Sequence, residues 1–180
     1  MSDRAWVSAS TSYLTPRRKG QRDTWGAETA AAGRRGSQRI LRAGMVMAPP
    51  EVAEAFGVSE AQEVVVRRRL MLLDDQPCEL TDTYYPADIG RGTPLAEAAK
   101  IPGGAVTLLA ALGHKGVRVR EDVIARLPSE REQEALQIGA QEPVLQLTRL
   151  TLDDEDRPIQ VDVMAMPSKR QRLRYELRIE

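Results

Sequence analysis

From residue 37 onward the chain alternates between runs of β-branched and aliphatic residues and short stretches spaced for helices. Residues 38–47 have the pattern of a strand, and Pro49-Pro50 then opens a short helix in which Val52, Ala55 and Phe56 fall at i, i+3 and i+4 before Gly57 stops it. Residues 64–73 form a second strand. Asp74-Asp75-Gln76 turns the chain and residues 77–85 return, which makes a hairpin. Thr93-Pro94 is a helix start, with a capping hydroxyl before a proline, and Gly103-Gly104 precedes a helix over 105–112 that Gly113 closes. Residues 117–127 predict a long strand, and the capping box Ser129-Glu130-Arg131-Glu132 begins a helix that carries Leu136. In the next strand, 143–152, Leu145 and Leu147 share one parity while Leu150 and Leu152 share the other, a phase slip that predicts a bulge near Thr148-Arg149. A turn at 153–157 leads to the cleanest strand, 158–166, and 172–179 adds a last edge strand.

Strands lead and the helices are short, unevenly placed and not alternating with them. Adjacent hairpins imply antiparallel pairing, so the fold class is α+β with one mainly antiparallel β-sheet. A doubly wound nucleotide-binding fold is disfavoured, because Gly90-Arg91-Gly92 and Gly103-Gly104 have neither dinucleotide nor P-loop spacing.

Composition narrows the class. With 180 residues the chain is long enough for one domain, and 42% hydrophobic content can fill its core. One cysteine, Cys78, excludes an internal disulfide framework and fits a reducing, cytoplasmic setting. One histidine, His114, and one cysteine cannot build the usual zinc site, so no metal and no cofactor are expected. No apolar run approaches the ~20 residues of a membrane span.

The 26 basic and 26 acidic residues cancel, but unevenly. Residues 1–42 hold nine basic and three acidic side chains, a net of +6, and the remainder holds 17 against 23, a net of −6. Residues 1–36 read as a basic, linker-like arm and 37–180 as the folded domain. A basic arm signals either nucleic-acid contact through phosphate neutralisation or a solvated arm folding back on an acidic body, and the cluster Arg17-Arg18-Lys19-Gly20 is too short and too poor in aromatics to serve as a binding module by itself. Trp6, Tyr13, Leu14 and Trp25 are expected to pin the arm down.

Two strands carry the candidate chemistry. Alternation places Arg67, Arg69 and Met71 on one face of their strand and Arg68, Leu70 and Leu72 on the other. Arg67, near the strand start, is expected to be exposed. Arg69, deeper in an apolar run, is exposed, paired or facing a cavity, because burying a lone guanidinium is costly. In the late strand Ile159, Val161, Val163 and Ala165 form an aliphatic face that belongs against helices. Gln160, Asp162, Met164 and Met166 form a mixed face, too polar for solid packing and too apolar for water, which suits a cavity wall or a face covered by the arm or a partner. Gly103-Gly104-Ala105 leaves backbone N–H groups free at a helix start, a weak anion cradle. The acidic run 153–156 belongs to a solvated turn, and Glu121-Asp122 alone does not make an acid–base pair. No nucleophile elbow or metal motif is present, so no enzyme is expected.

The order of Arg69-Leu70-Met71, PCELTDTYYP at 77–86, Gly92-Thr93-Pro94-Leu95, IPGG at 101–104, Pro143-Val144-Leu145 to Arg149, Asp156-Arg157-Pro158-Ile159 and Leu173-Arg174-Tyr175 resembles the UTRA effector-binding domain of GntR-type transcription regulators, HutC subfamily, in its actinomycete version. The resemblance covers about 37–180. It implies a chorismate-lyase-like fold, a homodimer, and a small-molecule pocket whose occupancy alters DNA binding through a winged helix-turn-helix. No three-helix DNA reader is legible in residues 1–36, so DNA contact is expected only through a segment not present in this chain.

Carried over residue by residue, one arginine of the pair in sugar-phosphate-sensing relatives falls on Arg69 and the other on Met71. Their helix-start serine and tyrosine fall on Gly104 and Val106. Their strand glutamate falls on Thr81, with Glu79 one same-face step away, and a later glutamate and tyrosine fall on Gln160 and Met166. Together with Gly103, Ala105, Asp162 and Met164 these are the expected ligand-binding residues. One cationic anchor amid apolar replacements implies an effector more apolar than a sugar phosphate, with a carboxylate for Arg69. The other readings are a chorismate-lyase-like enzyme and a dimerisation module without a ligand.

Overall fold

The computed structural model describes residues 5–17, 21 and 23–176. Arg18, Lys19 and Gly20 of the basic cluster, and the end of the expected last strand, lie outside the described residues.

One tight turn sets the sheet's centre. Asp74 and Asp75 both take left-handed backbone (φ 49° and 64°), the conformation that a two-residue hairpin turn needs to match strand twist. It joins β3 (Glu63–Leu73) to β4 (Gln76–Pro86), and preceding them, β2 (Gly36–Met47) pairs antiparallel with β3. Later come β5 (Arg118–Arg126), β6 (Val144–Leu152) and β7 (Pro158–Pro167), and the six strands lie in the order β2-β3-β4-β7-β6-β5, every neighbour antiparallel. The fold is therefore α+β around one antiparallel sheet.

Short helices cover one face. In α2 (Pro50–Phe56) Val52 and Ala53 pack on Val64, Val66, Tyr84 and Val161, and Gly57 ends the helix with φ 66°. Ser129 caps α5 (Glu130–Leu136): its hydroxyl accepts from the Glu132 N–H while the Glu132 carboxylate accepts from the Ser129 N–H, and Leu136 seals Leu70, Leu80 and Val144.

The other face builds the site. Ile89 of α3 (Ala87–Gly90), Leu95 of a 3-10 turn (Pro94–Ala96) and Leu109 of α4 (Ala105–Ala111) pack on Val65, Tyr85 and Ile159. Beside them lies the N-terminal arm, which does more than link. Its β1 (Trp6–Ser8) pairs in parallel with β8 (Gln171–Leu173) in a small second sheet, and α1 (Thr24–Ala31) docks on β2. Trp6 and Trp25 meet edge to face at 5.5 Å and pack on Met71, Leu73 and Cys78. The Trp25 indole N–H donates to the carbonyls of Ser37 and Leu72, and it fits because residue 36 is glycine: a Cβ there would stand 2.4 Å from the Thr29 hydroxyl oxygen and 2.7 Å from the indole nitrogen.

Three sequence expectations need correction. The register of β6 is regular through Thr148-Arg149, because both faces of the strand are covered and leucines of either parity are buried. The bulge falls instead opposite Thr151/Leu152, where Ile159 is the extra residue. Ile159 consequently leaves the face of Val161, Val163 and Ala165 and joins Tyr85 and Leu95 on the other side. Finally, among the described residues the last strand is Gln171–Leu173 and lies beside β1, not on the edge of the main sheet.

Candidate functional site: a cavity between the sheet, helix α4 and the arm

Three consecutive arginines on β3 meet three environments. Arg68 faces the α2/α5 side and grips the Asp82 carboxylate through Nε and Nη2, at 2.8 and 2.6 Å. Arg67 corrects the expectation of exposure, since it is 3% exposed. Its guanidinium donates to the carbonyls of Pro94, Leu95, Glu97 and Ala99 and so holds the loop that leads into α4. The acceptors come from a non-local segment, which strand parity cannot reveal. Arg69 faces a cavity.

That cavity encloses about 150 Å³. Strands β3 and β4 supply Arg69, Met71, Glu79, Thr81 and Tyr85, and β7 supplies Gln160, Asp162 and Met164. The start of α4 supplies Gly103, Gly104, Ala105, Val106 and Thr107, and Gly104 there has φ 87° with open space beside it. Of the sequence-derived candidates only Met166 lies outside. At 1% exposed it packs on Leu147, Met164 and Leu173, filled in from the β8 side.

Hydrogen bonds run across the floor. Arg69 Nη2 donates to the Thr83 hydroxyl at 2.9 Å, and Thr83 donates to Asp162 Oδ1 at 2.7 Å. Asp162 Oδ2 accepts from the Gln160 amide at 2.8 Å. Arg149, on β6 opposite Asp162, donates to Glu121 at 2.6 Å and to the Ser10 hydroxyl at 2.8 Å. Glu121 is thereby ionised more readily than usual: although desolvation opposes it, bonds from Ser10 and Arg149 hold its pKa down. Glu79 goes the other way. Its carboxyl is desolvated and its pKa raised, despite a bond from the Thr81 hydroxyl and the nearby Arg69.

The sign of that shift gives a testable result. Ionising Glu79 costs the folded state more than the unfolded one, so stability falls as pH rises from the unfolded pKa, about 4.5, through the raised folded value. Glu79→Gln is expected to melt higher than the parent at neutral pH, with the gap closing below pH 4.5 in thermal melts across pH. A gap that does not vary with pH would show the carboxyl to be solvated.

The arm supplies lining that the sequence did not indicate. Tyr13, Thr15, Arg17, Asp23 and Trp25 all reach the cavity. Asp23 caps α1 by accepting from the Gly26 N–H at 2.9 Å and pairs with Lys100. Its pKa is lowered; desolvation raises it, but these bonds outweigh that. Arg149 was detectable in principle. It sits mid-strand with the parity of Leu145 and Leu147, as Arg69 does in β3, but the supposed bulge hid that parity. Among the described residues, the single guanidinium expected in a mostly apolar chamber is thus corrected to three, from Arg17, Arg69 and Arg149.

Among the described residues no cluster of metal-ligating side chains occurs, and no helix is long and apolar enough to cross a membrane. Cys78 is buried, donates to the Met71 carbonyl, and has its thiol pKa pushed up by desolvation, the opposite of an activated nucleophile.

Comparison with known proteins agrees with this architecture. An HTH-type transcriptional regulator of Streptomyces coelicolor, SCO4628, is 31% identical over 130 residues, covering 69% of this chain and 48% of its own length. The chain thus spans about half the length of the curated relatives it matches. A crystal structure of a GntR-family transcriptional regulator superposes with a TM-score of 0.81 at 20% identity, covering 98% of this chain and 71% of that one. The effector domain of PhnF from Mycobacterium smegmatis gives 0.73 at 20% identity, covering 86% and 94%. The model of the UTRA domain matches residues 31–172, so the chain belongs to the UTRA domain family, the effector-binding domains of GntR-family regulators.

Proposed function

We propose that this domain senses a small metabolite and passes its occupancy to DNA binding by a winged helix-turn-helix outside this chain, in the manner of a HutC-type GntR regulator. One observation carries the reading: the sheet face that could have been packed solid holds a cavity with cationic, acidic and apolar walls. The effector contributes a carboxylate or similar acceptor to Arg69 and an apolar part to Met71, Val106, Ile101 and Met164, which line the same cavity. The domain turns nothing over. The inert Cys78 and the carboxylates that accept bonds from protein donors support that. The protein works in the cytoplasm as a homodimer. The edge strand β5, which exposes Val123 and Ile124 beside Leu127, supports a surface for a second copy.

A sensor needs two states that its ligand distinguishes, with coupling of about 1–3 kcal/mol. The segment 90–104, tied to Arg67 at one end and lining the cavity at the other, is the element that ligand orders. Small organic acids screened by thermal shift identify the effector, and amide exchange in 90–104 is expected to slow when it binds. Unchanged exchange on saturation would overturn this coupling.

A further inference from the structure

Among the described residues, three hydrogen-bond donors carried by side chains that line the cavity lack an acceptor. Arg69 Nε, Arg17 Nε and the Tyr85 hydroxyl are each shielded from water and unpartnered, and all three residues line the same space. Tyr85 is 0% exposed, so water cannot reach its hydroxyl from outside. Native proteins leave few buried polar groups unpaired, and each costs about 1–3 kcal/mol. Three around one cavity therefore mark the place of a missing acceptor. Among the described residues none of the cavity's own carboxylates bonds to these donors. Asp162 already accepts from Thr83 and Gln160, Asp23 from Gly26, and Glu79 from Thr81. Among the described residues Arg17 and Arg69 make no ion pair, so two like charges border the same space.

The position of Arg17 is built. Its backbone N–H donates to the Thr107 hydroxyl at 2.9 Å, and that hydroxyl donates to the Gly103 carbonyl at 2.8 Å, so the start of α4 holds this part of the arm over the cavity. Arg17 also lies before residue 31, where the match to the UTRA domain begins.

Resting on the sensing role above, we propose that an anionic group of the ligand, carboxylate or phosphoryl, binds between Arg69 and Tyr85 on the sheet and Arg17 on the arm. Residues 8–17 then belong to the ligand site, and an occupied site ties the arm to the domain. Guanidinium groups on two sides suit an anion with several acceptor oxygens.

The protein carries its own reporter, because both of its tryptophans, Trp6 and Trp25, lie in the arm and Trp25 lines the cavity. Tryptophan emission is titrated with inorganic phosphate and, separately, with acetate, which distinguishes the two anion classes. At least one is expected to shift the emission and raise the melting temperature of the parent chain, and Arg17→Gln is expected to bind it at least tenfold more weakly, with Arg17→Lys intermediate. Equal affinity in Arg17→Gln would overturn the arm's role while leaving metabolite sensing intact. No response to either anion would overturn the anion assignment, whereas a neutral metabolite bound to the purified protein would still support sensing. Should Arg17→Gln not fold, amide exchange over 8–17 in the parent decides: phosphate or acetate is expected to slow it, and unchanged exchange at saturation overturns the proposal.

Discussion

Arg67→Ala is expected to lower the melting temperature by roughly 6–12 °C, the shift that about 3 kcal/mol produces in a domain of this size. The magnitude follows from what the side chain does. A charged donor bonded to neutral acceptors contributes about 1.5–3 kcal/mol per bond, and its removal strands carbonyls that were placed for it. Here four carbonyls, of Pro94, Leu95, Glu97 and Ala99, converge on one guanidinium. Burial pulls the Arg67 pKa down, mainly by desolvation, yet an arginine stays protonated at any ordinary pH, so the bonds persist. Arg67→Lys keeps the charge but not the planar fork and is expected to recover only part of the loss. Because the anchored loop leads into Ile101, Gly103 and Gly104, the alanine variant should also weaken ligand binding. Calorimetric melting checks the first effect. A shift within a degree or two of the parent would mean the loop holds its shape without Arg67.

Arg69→Ala acts on binding instead of folding. Among the described residues the guanidinium makes one side-chain bond, to the Thr83 hydroxyl, and the residue lines the cavity. Losing a charge-assisted pair with a ligand anion is expected to weaken binding about 10–100-fold. The stability of the empty protein should change far less than in Arg67→Ala, because Arg69 holds no loop. Isothermal titration of the effector found by screening, against the parent, Arg69→Ala and Arg69→Lys, measures this. Arg69→Lys is expected to fall between the two. The neighbours Arg67 and Arg69, two residues apart on one strand face, thus separate a structural role from a binding one.

Much of this was legible from local signals. The Asp74-Asp75 turn, the Ser129/Glu132 capping box, the Gly57 stop and the parity of 160, 162 and 164 each depend on residues close in sequence, and each places an element or a wall of the cavity. What stayed hidden depends on distant partners. Arg67 is buried because four carbonyls near residue 95 happen to receive it. The parity of β6 misled because helices and arm cover both its faces, so burial no longer alternates. The arm shows no periodic pattern, yet it is held by a glycine at 36 that admits Trp25 and by Thr107 reaching Arg17. Met166 fails as a wall residue for the same reason: β8, which closes over it, contributes only three residues.

Native mass spectrometry of the protein purified gently from its own host, compared with Arg69→Ala handled identically, tests the central claim most directly. The account predicts a small organic acid bound to the parent, released on denaturation and missing from the variant. An empty parent in repeated preparations, or a ligand retained equally by both, would contradict a ligand site built around Arg69.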